Sequence, residues 1–414
     1  EAMICLIQRS FIRGVFIFVL VLSAVFSCCM APCSATPAPL PEGGFDNTSD
    51  IQEEIIKAQL EALDTSFLSG FLEDMDSSME EFFPGLDLAG FIRSPGRVLE
   101  GLDPASLAKG ILRAIAAEVR ASLALLGQLI ILAVMCGILS EFASGFETQQ
   151  ITTIARSACF MVLALMATNS FFVTIRSANE AVDSMTGFMH ASTPLLFALL
   201  SAVGGITSAA VMSPGVVAVA GVASSLVRNI VFPLLFLSAV LEVVSIVADR
   251  VQLTQFSGLA RDVAVGFLGG GMTLFLGVMT IRGVGARVAD SVSIRTAKFV
   301  SGTFIPVVGK MFSDAVGMVA SCAALIHGGL SVVGFVSIFM ICLVPAAKIL
   351  SVAIMYRLAG AIVQPLGDPS LPKCLSALGN TLILVLVTVG VVAVAFLAVI
   401  TVISGLVNFA VTLR

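Results

Sequence analysis

The stretch from Thr381 to Ile403 reads TLILVLVTVGVVAVAFLAVITVI, 23 residues without one charged side chain. At about 1.5 Å of rise per residue, a helix of roughly 20 such residues crosses the hydrocarbon of a bilayer. Comparable apolar runs lie at 122 to 140, 157 to 175, 191 to 212, 230 to 248, 263 to 281 and 329 to 346. Shorter or charge-interrupted stretches at 214 to 227, 315 to 327 and 349 to 363 read as re-entrant, tilted or interfacial helices. The expected fold is all-α: a polytopic transmembrane helical bundle of about seven spans occupying residues 121 to 414.

Composition supports this reading. The chain is 58% apolar and 12% charged, whereas soluble domains carry about a quarter charged residues and need them for a polar shell. Charge is also unevenly spread. Residues 36 to 120 hold 16 acidic and 6 basic side chains, a net of −10 in a chain whose total is −5. The remainder is therefore net basic, as expected for membrane helices with basic cytoplasmic loops, and an acidic exposed region disfavours nucleic acid as a partner.

Ahead of the spans, Arg9 and Arg13 precede an apolar run from Gly14 to Phe26 and the small-residue sequence APCSA ending at Ala35. This is the layout of a signal peptide over residues 1 to 35, with cleavage expected after Ala35. Residues 37 to 50, rich in Pro, Gly, Asp, Asn, Ser and Thr, read as a linker. From Ile51 the period becomes helical: Ile56, Leu60 and Leu63 share a face that Phe67, Leu68, Phe71, Leu72 and Met75 continue. Pro84, Pro95 and Pro104 divide the remainder of this region into short helices. Residues 36 to 120 are thus expected to form a small acidic extracytoplasmic helical domain.

Orientation comes from the basic stretch 282 to 314. It carries Arg282, Arg287, Arg295, Lys298 and Lys310 against Asp290 and Asp314, and is expected as a loop facing the cytoplasm. Seven spans would then place the acidic domain outside and Arg414 inside. Within the spans, Glu242 is the clearest charge, and Asp249 comes seven residues later on the same helical face. A carboxylate at that depth costs on the order of 3 kcal/mol unless paired or hydrated. It is a proton or cation site or part of the lining of a water-filled pore, or else one half of a buried pair with Arg228 or Arg250 or an end-of-helix group reaching water. Arg357 is expected on an interfacial helix. Gly266 and Gly270 form GxxxG, which suits close helix packing within the chain or between copies, so a homo-oligomer is open.

Other chemistry has no carrier. There is no GxxxxGK[ST] loop, HExxH, GxSxG or paired intramembrane aspartate pattern. His190 and His327 stand apart, and Cys136, Cys159, Cys322 and Cys342 lie in apolar runs, with Cys374 expected in a loop. No catalytic residue, metal site or cofactor is expected.

Particular residues go further. Asn169-Ser170-Phe171, Ala178-Asn179-Glu180-Ala181, Asp183-Ser184-Met185-Thr186 and Thr193-Pro194-Leu195-Leu196 resemble the stage III sporulation protein AE family of endospore-forming bacteria. So do Ile294-Arg295-Thr296-Ala297-Lys298-Phe299-Val300, Ile305-Pro306-Val307-Val308-Gly309-Lys310-Met311-Phe312 and Gln364-Pro365-Leu366-Gly367-Asp368. The resemblance runs in order over residues 120 to 414; the leader and acidic domain share only the layout. It implies a subunit of the secretion-like channel joining mother cell and forespore during engulfment. Such a subunit sits in the mother-cell membrane around the forespore, beside the other membrane proteins of its operon, and supports late forespore gene expression. It implies no catalytic residues.

Physical readings stand beside that expectation. In 176 to 190, Arg176, Asn179, Glu180 and Asp183 give a polar side, opposite Val182, Met185 and Met189; such a helix suits the outer interface, solvated or meeting a partner. Arg287, Arg295, Lys298 and Lys310 suit anionic lipid or a docked cytoplasmic subunit. The competing function is a stand-alone secondary transporter using Glu242, although transporters of that kind are often built from two related halves and no internal repeat is evident here.

Overall fold

A computed structural model describes Gly70 and residues 104–144, 149–247, 253–304, 308–366 and 370–412. The expected signal peptide, nearly all of the acidic region before Pro104, and Asp249 lie outside the described residues. Every regular element among the described residues is helical. We number them α1 (Pro104–Ser144), α2 (Gln149–Ala202), α3 (Ile206–Leu226), α4 (Phe232–Val247), α5 (Thr254–Phe304), α6 (Val308–Val363) and α7 (Ser370–Thr412). A π-helical turn, Val227–Val231, joins α3 to α4, and a 3-10 turn, Gln364–Leu366, comes after α6. Hydrocarbon offers the backbone no hydrogen-bond partner, so each apolar stretch satisfies its own amides as helix.

Among the described residues six helical stretches are long and apolar enough to cross a membrane, close to the about seven spans expected, but most of them are longer than one span. The difference is one of continuity. Runs 157 to 175 and 191 to 212 read as separate spans in sequence, but α2 carries the first and most of the second without interruption, with Pro194 inside it. Residues 214 to 226 are part of α3, while 315 to 327 and 349 to 363 are both parts of α6, so each short stretch continues a longer helix. The basic stretch is not a loop either: 282 to 304 finishes α5 and 308 to 314 begins α6. α1 likewise runs through residue 120. Polar side chains within these segments are held by neighbouring helices, and so do not end them.

The one sharp turn described lies at Val203–Gly205. Gly204 has φ 104°, a left-handed conformation that a side chain would strain, and a Cβ on Gly205 would press into Leu200. The π turn precedes Pro233, which has no N–H for the carbonyl one turn back, and Phe232 N–H donates to the carbonyl of Val227 instead.

Cross-contacts fix the helix directions. Arg261 reaches Thr381 and Arg287 lies against Gly405, so α5 and α7 run parallel. Arg357 meets Asn380 while Ser331 meets Ser404, so α6 runs opposite to α7. Tyr356 Oη donates to the carbonyl of Ala167 at 2.6 Å and Lys348 Nζ donates to Ser177 Oγ at 2.9 Å, setting α2 antiparallel to α6. The 305–307 connection, the Val203–Gly205 turn and Thr412 therefore share one end, here the proximal end. α1, joined to α2 by only four residues (145–148), begins there too, at Pro104. This revises the expected topology. Helices alternating in direction bring the residue-104 end, the basic stretch and Thr412 to the same end, because one fewer crossing reverses the parity.

α7 occupies the centre, packed against α2, α4, α5 and α6. Its Phe396 is fully buried and meets Phe275 edge-on at 6.3 Å between centroids. Cys374, expected in a loop, is buried in α7. A Cβ on Gly379 would touch the carbonyl of Ala353 and the stem of Arg357 at 3.4 Å. A Cβ on Gly266 or Gly270, by contrast, would meet nothing within 4 Å, so their GxxxG is not part of a helix contact among the described residues. Gly379→Leu should therefore overpack α6 against α7 and lower stability by about 1 to 3 kcal/mol. Gly266→Leu should change it by less than about 0.5 kcal/mol; thermal unfolding of the two variants in detergent reads the contrast.

Candidate functional site

Polar side chains inside an apolar bundle are the natural place to look for function. Glu242 on α4 and Arg261 on α5 face each other because the two helices form a hairpin across 248–252. Arg261 Nη2 donates to Glu242 Oε2 at 2.7 Å and to Thr381 Oγ1 of α7 at 3.3 Å. The side chains remain 30% and 25% exposed. Arg228, one partner expected for Glu242, pairs with Asp183 instead, and Arg250, the other, lies outside the described residues. Sequence reading missed Arg261, although residues nearly equidistant from a hairpin connection fall opposite each other, and that arithmetic points to it. The Ser238 and Ser257 hydroxyls, each one turn before a member of the Glu242–Arg261 pair on its own helix, donate to each other's carbonyl at 2.9 Å, which clamps the same hairpin.

A second polar group lies near the middle of α2. Arg176 Nε donates to Glu180 at 3.2 Å, and Arg228 of the π turn donates to Asp183 at 2.6 Å. Both pairs are exposed; Asn179 is half-buried and donates to the carbonyl of Ile175. The expected apolar side of this segment is observed, since Val182, Met185 and Met189 are buried. The segment is not a separate interfacial helix, because α2 continues in both directions.

The third group is at the proximal end. Asp290, 3% exposed, accepts from the backbone N–H of Ser208 at 3.1 Å. A carboxylate from α5 thus caps the N-terminus of α3, where unpaired amides and the helix dipole favour negative charge. Arg282 lies against Gly215 of α3, and Arg287 lies against Gly405 of α7; a Cβ at either glycine would collide with the guanidinium. Arg287 therefore contacts its own bundle. The side chains of Arg295, Lys298 and Lys310 lie outside the described residues, although their backbones are helical.

Two further groups are settled by α7. Arg357, expected at an interface, donates from within α6 to Asn380 Oδ1 at 2.6 Å. His327 is buried, with Nδ1 3.3 Å from Ser331 Oγ, whose hydroxyl accepts from Ser404 at 2.6 Å. His190 is exposed. Among the described residues no three His, Cys, Asp or Glu side chains come together as metal ligands, and the cysteines are free thiols.

The arrangement neutralises charge rather than gathering reactive groups, and together with the six long apolar helices it defines a polytopic helical membrane protein. Family comparison gives the particular kind. The family model for stage III sporulation protein AE matches residues 97–406. Stage III sporulation protein AE of Bacillus subtilis (strain 168) is 35% identical over 367 residues, covering 87% of this chain and 91% of the relative. The chain belongs to the stage III sporulation protein AE family. No solved structure matches it.

If Glu242 and Arg261 serve each other, removing one leaves the other uncompensated. Arg261→Gln should cost about 1 to 3 kcal/mol. The double variant Glu242→Gln, Arg261→Gln should recover part of that loss; a double-mutant cycle on thermal unfolding measures the coupling.

Proposed function

We infer that this chain is a non-enzymatic integral membrane subunit of the secretion-like complex that joins mother cell and forespore, and that it supports late forespore gene expression. Membership of the stage III sporulation protein AE family carries the reading. Its place is the mother-cell membrane surrounding the forespore, assembled with the other membrane proteins of its operon. It needs no cofactor for this role. The acidic region ahead of Pro104 and the basic stretch holding Arg295, Lys298 and Lys310 are the segments we assign to partner or lipid contact. Asn179 and Glu180 join them, because their position beside two exposed ion pairs leaves polar surface in the middle of α2.

The alternative, a stand-alone secondary transporter working through Glu242, is weakened by the ion pair. The carboxylate is engaged by Arg261 at 2.7 Å, and Arg261 also reaches Thr381, so Glu242 serves an internal contact between helices. The two readings give different outcomes. Purified protein reconstituted alone into vesicles is expected to support no solute flux, while its loss in sporulating cells is expected to stop late forespore reporter expression. Glu242→Gln is expected to leave reporter expression in place, provided the protein still accumulates. Proton-coupled flux through the purified protein, abolished by Glu242→Gln, would replace the subunit reading with the transporter.

A further inference from the structure

The bundle is too tall for one bilayer. Five of its six apolar stretches run 39 to 47 residues, about 60 to 70 Å as helix, against hydrocarbon about 30 Å thick. A tilt of about 40° lengthens the crossing only to roughly 40 Å. One part of the bundle therefore stands outside the lipid. The exposed pairs Arg176–Glu180 and Asp183–Arg228, near the middle of α2 and of the α3–α4 run, mark the division, since exposed ion pairs belong in water or headgroups and not in hydrocarbon.

The two halves differ in what they expose. On the distal side of the ion pairs, large apolar side chains face outward from five helices, among them Ile131, Leu165, Val244, Phe256 and Leu358. Lipid on all sides suits that half. On the proximal side, every large apolar side chain of α2 from Met185 to Leu200 is buried and α6 exposes Met318, Val319 and Leu325, while most of the exposed large apolar side chains belong to α3 and α5, which pack together: Ile206, Val217, Val222, Ile281, Val288 and Val292 among them. Standing outside lipid, this two-helix face requires another apolar surface.

We propose that residues 51–75 of this same chain cover the α3–α5 face as an intramolecular helix-in-groove contact. Three observations select this occupant. The preceding segment is attached at the correct end, since α1 begins at Pro104 at the same end of the bundle as the basic stretch, and the intervening chain reaches up to about 90 Å when extended. Residues 51–75 place Ile56, Leu60, Leu63, Phe67 and Phe71 at helical spacing, an apolar stripe with too little chain to bury itself. The charges are complementary: the segment has six acidic residues and one basic, whereas α5 beyond Ile281 bears Arg282, Arg287, Arg295 and Lys298 against Asp290. With this half outside the bilayer, basic residues on the same side as an acidic domain conflict with no rule of membrane orientation, which acts near the membrane ends of helices.

The full-length chain in native membranes tests the contact. A photo-reactive benzoyl-phenylalanine is placed at Val217 or Val288, or at Leu165 as a control, and the adducts are mapped by peptide mass spectrometry. Adducts within one chain to peptides from 51–75 are expected at the first two positions, and lipid adducts at Leu165. Arg282→Glu with Lys298→Glu should reduce the intrachain adduct severalfold, and Glu53→Lys with Glu61→Lys in the same chain should restore it. Adducts at Val217 and Val288 to lipid, to a second copy or to another protein overturn the proposal, and so does an intrachain yield that ignores both charge reversals.

Discussion

Hydrocarbon dissolves neither a bare peptide group nor a bare charge, and the architecture rests on that constraint. The first half forces helix wherever the chain is apolar for long enough. The second half requires each charge within the bundle to find a partner or reach water. Helices α4, α5 and α7 meet where Glu242, Arg261 and Thr381 hold one another. The depth of that contact sets the register of the α4–α5 hairpin, and the same register carries Arg287 to Gly405 and Asp290 to the start of α3.

Family and structure contribute different things. Relationship to a sporulation protein says where the chain is used; the bundle says what such a subunit is made of. Its polar groups are spent on internal pairing, capping and the ion pairs near the middle of α2. A central α7, apolar for nearly its whole length, packs chiefly against α2, α4, α5 and α6. The extra height of the helices beyond one bilayer adds surface that lipid does not cover.

Where sequence reading fell short, the reason was mostly continuity. Pro194 and Pro345 lie inside α2 and α6 without ending them, because flanking helices hold the turns that proline weakens. Charges such as Lys348 and Arg357 read as interruptions of an apolar run, but their partners Ser177 and Asn380 come from helices distant in sequence. No local pattern reveals such a partner. Gly266 and Gly270 make a packing motif legible in the sequence, but the motif meets no neighbouring helix among the described residues of this chain.

From residues alone came the all-helical class, the membrane as solvent, the family resemblance, Glu242 as a charge needing an answer, and the buried side of Val182, Met185 and Met189. These depend on composition and short-range period, which a chain carries wherever it folds. The identity of Arg261 as the answer, Asp290 as a cap, the joining of runs into longer helices and the end at which each segment emerges came from the tertiary structure. They depend on which helices lie side by side and at what height, and contacts between residues 19 to 189 apart decide that.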